Sequence, residues 1–100
     1  MKETSDWIAA AVGFRATKGF RAVRRAQRPV VGDRFVTVRD ERMEARVTWI
    51  GPDGTVRFDR TYESGRVVEC VAHDGMWPRC VLGALRKGAE FIPANDKIHP

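Results

Sequence analysis

The chain has 100 residues, 43% of them hydrophobic and 31% charged, and a formal net charge of +5. That length supports one core of ordinary size but not two, and the mix of apolar and charged residues excludes a largely disordered chain outside the ends. No apolar run nears the roughly 20 residues a membrane span needs, and Lys2, Glu3 and Asp6 stand where a secretory signal would place a basic patch and an apolar stretch. A cytoplasmic protein without a membrane partner is expected.

In chain order, Thr4 or Ser5 can cap a helix that begins at Asp6, whose charge suits the positive end of a helix dipole. Ile8, Val12, Ala16, Phe20, Val23 and Ala26 fall on one arc at helical spacing. Lys18, Arg21, Arg24, Arg25 and Arg28 fall on another, so the predicted helix is apolar on one side and basic on the other. Gly13 and Gly19 are points where it could bend or divide. Arg28-Pro29 ends it, since a residue before proline is steered out of helical geometry. Residues 1–28 hold seven bases and two acids, whereas residues 29–100 hold eleven of each. The net charge therefore belongs to this first segment.

After Pro29 the hydrophobic period changes to two. Arg34–Arg39, Glu44–Ile50, Thr55–Arg60, Arg66–Ala72, Arg79–Gly83 and Glu90–Ile92 read as short strands. Gly51-Pro52-Asp53-Gly54, Ser64-Gly65 and His73-Asp74-Gly75 supply the turns between them. The second strand places Ala45, Val47 and Trp49 on one face, and Trp49 and Phe58 are expected to pack inside with Val47 and Val56.

The Gly32-Asp33-Arg34-Phe35-Val36 opening, the meander of hairpins and the Val81–Gly88 stretch before a last short strand resemble an SH3-like barrel of the Tudor or KOW type over residues 30–93. Closure would remove exposed sheet edges. The expected fold is thus α+β, mostly β: a basic helical arm over 1–29, a five- to six-stranded antiparallel barrel over 30–93 and a tail over 94–100.

Bases interleaved with Trp7, Phe14 and Phe20 fit nucleic-acid association, because guanidinium groups grip phosphate and aromatic faces stack on bases. Lys18, Arg21, Arg24, Arg25 and Arg28 are the predicted phosphate contacts, with Arg46 and Arg57 at the edge of the footprint. Ile8, Ala9, Val12, Gly13 and Phe14 are similar to the first helix and turn of helix-turn-helix proteins, but Gly19 stands where that family has a core residue. The alternative is a module or inhibitor that docks on a larger protein, with Met76 and Trp77 as candidate contacts. In the loop before Pro78, Trp77 is either exposed for such docking or tucked in as a plug, and the plug is the expectation. Self-association through the apolar helix face is a further expectation.

For catalysis the inventory is thin, with His73 and His99 as the only histidines and no phosphate loop or paired-carboxylate motif. An oligomeric small-barrel enzyme is the third reading. Cys70, His73 and Cys80 make three metal ligands where structural zinc takes four, so neither metal nor cofactor is expected and the two thiols are read as reduced.

Overall fold

The computed structural model describes residues 18–94. The expected start of the helix at Asp6, the helix-turn-helix-like segment 8–14 and residues 95–100 of the tail lie outside that range. The elements are helix α1 (Lys18–Ala26), strands β1 (Arg34–Thr37), β2 (Met43–Ile50), β3 (Val56–Tyr62) and β4 (Val67–Ala72), helix α2 (Met76–Arg86) and strand β5 (Glu90–Ile92). The architecture is α+β and mostly β. Among the described residues no helix is long and apolar enough to cross a membrane.

All strand pairings are antiparallel, and the spatial order is β4-β3-β2-β1-β5. The sheet is open, with β4 and β5 as its edges, where a closed barrel was expected over 30–93. What takes the place of closure is α2. Arg79–Gly83, expected to be a strand, is the middle of this 11-residue helix. Its Trp77, Pro78, Val81 and Leu82 are buried at helical spacing, while a five-residue apolar window cannot separate that pattern from a strand. Pro78 is tolerated because it lies in the first turn, where no intrahelical donor is lost. Gly75, at φ 78°, begins the helix. At the other end Gly88, at φ 91°, donates to Leu85 O at 3.0 Å and Ala89 donates to Ala84 O at 3.0 Å. This is the paired bonding that ends a helix through a left-handed residue.

The turn at Gly51–Gly54 forms as its composition predicts, with Gly54 at φ 88°. Gly51 N–H donates to Thr55 O at 2.8 Å. Thr55 N–H donates to Asp53 Oδ1 at 3.0 Å and, with the Thr55 side chain, holds the Asp53 carboxyl below its ordinary pKa. Upstream, a bulge between Val47 and Trp49 shifts the β2–β3 register. The extra residue turns Trp49 out of the core, leaving it 45% exposed. The expected face of Ala45, Val47 and Trp49 is thereby corrected to Ala45 and Val47, both buried, with Ile50 completing the inner side beyond the bulge.

Phe35, Ala45, Val47, Val56, Phe58 and Ala72 of the sheet meet Trp77, Val81 and Leu82 of α2 in one core, which Val23 and Ala26 of α1 extend. The Trp77 indole stacks 5.7 Å from the Phe35 ring and lies 5.0 Å from the Phe58 ring. The helices form a layer on this inner face, and no described element covers the outer face of the sheet.

The fully buried carboxylate of Asp33 ties the layers together. Arg25 donates to it through both terminal nitrogens at 3.1 Å, Val30 N–H at 2.9 Å and Ala94 N–H at 2.9 Å. One side chain thus joins α1, the entry to β1 and the chain just beyond β5. Asp33→Asn would face these donors with an amide that also donates, and removing one partner of a buried pair costs about 3 kcal/mol or more. Glu44→Gln, at a half-exposed pair with Arg34 and Arg46, is expected to cost about 1 kcal/mol at most. Urea unfolding of the two variants checks the contrast, and equal midpoints would show the Asp33 node to be dispensable.

Candidate nucleic-acid interface

Arg21 and Arg24 lie one turn apart on α1 and are exposed, and Arg28 is exposed in the turn that follows. The Arg24 guanidinium stands 5.9 Å from the centre of the Phe20 ring. Arg24 and Arg25 occupy the last turn, the end of a helix where positive charge is favourable. Among the described residues no carboxylate pairs with Arg21, Arg24 or Arg28. Arg25 differs, because its two terminal nitrogens are committed to Asp33 and one of them also donates to Arg28 O at 2.8 Å. Lys18 is the first described residue of the helix.

Arg46 and Arg57 are not part of this surface. Each alternates with buried neighbours, Ala45 and Val47 for one and Val56 and Phe58 for the other, so both stand on the outer face of the sheet, away from the helices. Arg46 donates to Glu44 at 3.2 Å, and Arg57 lies 4.9 Å from the centre of the Trp49 ring. Through the strand registers the same face carries Arg34 with Glu44, Asp59, Glu69 and Glu90. By register its acids number four against three bases, but Glu90, on the β5 edge, also lines the hollow beside α1 with Arg21 and Arg25. A polyanion gains nothing from approaching it.

The helical layer has the opposite character. α1 packs against α2, and α2 contributes Arg79 and Arg86, both exposed, with Lys87 at its end. No acidic residue occurs in 18–32 or in 75–89. The two segments place Arg21, Arg24, Arg28, Arg79, Arg86 and Lys87 at the surface of two packed helices, while Arg25 is committed to Asp33. Sequence reasoning misses Arg79, Arg86 and Lys87 because Arg79–Gly83 reads as a strand. The signal that could have found them is the absence of acids from Gly75 to Ala89.

Trp77 is a core residue, 1% exposed and inside a helix, while Met76 next to it is 46% exposed. The tucked position expected for Trp77 is what the structure shows, although it plugs an open sheet rather than a barrel. Of the two candidate docking residues, only Met76 is available at the surface. A Trp77→Ala variant would report on folding, at a cost of roughly 3–5 kcal/mol, rather than on binding.

Among the described residues no group of three His, Cys, Asp or Glu side chains is placed to hold a metal ion. Cys70 and Cys80 are both free and half-buried. Burial pushes the Cys80 thiol above its ordinary pKa, against the nearby Arg60 charge, which pulls it down. No family model, curated protein or solved structure matches the chain.

The raised Cys80 pKa gives a directional expectation. Less of this thiol is ionised at a given pH than of an unperturbed one, and only the thiolate is alkylated. In a Cys70→Ser background, iodoacetamide labelling of Cys80 should be slower than that of a small free thiol at pH 8 and should keep rising above pH 9. A plateau below pH 8.5, read by mass spectrometry, would contradict the assigned environment.

Proposed function

We propose that the protein is a small nucleic-acid-binding or regulatory protein that engages phosphates through its helical layer. The observation that supports this reading is the division of charge between the two layers, with no acid in the sequence of α1 or α2 and acids and bases nearly balanced on the outer face of the sheet. Such a dipolar surface orients the protein on a polyanion, helices inward. Arg21, Arg24 and Arg28 are the central phosphate contacts, since neither Asp33 nor any other described carboxylate neutralises them. Lys87 extends the footprint along α2. Arg25 serves the fold, and Arg46 and Arg57 lie outside the footprint. The contacts named are to phosphate, which confers affinity without sequence preference.

Removing one phosphate-binding side chain lowers the salt slope of binding by about 0.9 on duplex DNA and about 0.7 on single strands. The Arg21→Ala, Arg24→Ala, Arg28→Ala triple variant should therefore flatten the dependence of log K on log salt by roughly 2 to 3. It should bind ~100-fold more weakly at low salt if each arginine contributes about 1 kcal/mol. The Arg46→Ala, Arg57→Ala variant should leave the slope unchanged. Fluorescence anisotropy on labelled oligonucleotides at several ionic strengths measures both. An unaltered slope in the triple variant would remove the proposal, and a loss confined to the double variant would move the interface to the sheet.

A further inference from the structure

On the inner face of the sheet, among Phe58, Val47 and Ala45, stands one cation. Arg60 faces this side because it follows Phe58 by two residues on β3 and is opposite Ala45 on β2 and Val68 on β4. Arginine is seldom placed there unless paired. Among the described residues no carboxylate pairs with it, and its Nε is covered from solvent without a hydrogen-bond acceptor. Its guanidinium stands 5.9 Å from the centre of the Phe58 ring. A buried donor left without an acceptor costs about 1–3 kcal/mol, more when it belongs to a charged group.

Arg60 opens on a cleft of about 280 Å³ between α2 and strands β1 to β3. One wall is apolar, made by Phe35, Met43 and Phe58, and the other is the α2 stripe of Arg79, Cys80, Gly83, Ala84 and Lys87. Gly83 leaves that wall open, since a Cβ there would meet nothing within 4 Å. Thr37 adds a hydroxyl at the rim, and no acidic residue lines the cleft. Positive charge therefore converges on an apolar hollow from both sides. None of the lining residues of the cleft comes from α1, but Arg79 and Lys87 belong both to this cleft and to the basic helical layer.

We propose that this cleft binds a small organic anion, its apolar body against Phe35, Met43 and Phe58 and its carboxylate or phosphate head on the Arg60 guanidinium, with Lys87 closing over it. The volume, just below the usual range of small-molecule sites, suits a single ring or a short alkyl chain. The planar guanidinium can hold either head through two parallel hydrogen bonds. The site does not depend on the nucleic-acid reading.

Titration calorimetry on the full chain with phenyl phosphate, phenylacetate, inorganic phosphate and benzyl alcohol tests the proposal. At least one of the two aromatic anions should bind in the millimolar range or tighter, and the stronger one identifies the head group. Inorganic phosphate and benzyl alcohol, which each lack one half of the match, should bind at least about tenfold more weakly, the effect of about 1.4 kcal/mol. Arg60→Met keeps the apolar stem and is expected to fold at least as well as the parent, because it removes an unpaired cation. It should abolish anion binding, and Arg60→Lys should restore part of it. The bound anion should also slow alkylation of Cys80 in the Cys70→Ser background, and the Arg21, Arg24, Arg28 triple alanine variant should bind it as the parent does. Equal binding by parent and Arg60→Met, binding of benzyl alcohol as tight as that of the anions, or no heat from either aromatic anion at 10 mM would overturn the proposal.

Discussion

The fold depends on one buried carboxylate. Asp33 has no access to water, and four hydrogen bonds from Arg25, Val30 and Ala94 replace its hydration. These partners come from parts of the chain that share no strand pairing. Most helical stability in proteins comes from tertiary packing of an amphipathic face, so α1 depends on what it packs against. Val23 and Ala26 supply the apolar contact, and the Arg25–Asp33 pair fixes the position along the body at which that contact is made. A charge buried without its partners would be strongly destabilising, so a displaced α1 is penalised well beyond the apolar area it would expose.

That constraint sorts the arginines of α1 into two kinds. Arg25 is consumed by the fold, while Arg21 and Arg24 are held on the outer side because Val23 and Ala26 point inward. Docking also sets α1 against α2, whose own bases then join the same layer. Bases from two distant stretches of sequence are thereby carried on two packed helices. Four of the acids, Glu44, Asp59, Glu69 and Glu90, stand on the strands, where Glu44 is shared by Arg34 and Arg46. Arg60 is the exception among the bases, a cation turned inward where the apolar pattern of β3 leads one to expect a core residue.

Much of the sheet could be read directly. Four of the strands lie within two residues of their expected bounds and β5 matches Glu90–Ile92, because alternation and turn residues act locally. The same local logic failed at two places. Trp49 obeys the alternation in sequence, but the bulge beside it exchanges the faces. Val81 and Leu82 read as strand in a short window and become helix because Trp77 and Leu85, one turn to either side, face the same core. For the interface, the basic stretch was plain, but neither the sacrifice of Arg25 nor the contribution of Arg79, Arg86 and Lys87 could be derived from spacing.

Taken alone, the order of residues determined where chain reversals fall, which segments alternate, and that Phe14 to Pro29 holds bases without acids. These are properties of neighbours, set by backbone sterics and by charge counted along the chain. Tertiary structure decided which bases remain available, that the sheet stays open under α2 instead of closing, and that Arg60 meets no counter-charge among the described residues. Those outcomes depend on residues 8 to 61 positions apart, such as Arg25, Asp33 and Ala94, and a contact across such distances exists only once packing has brought its members together.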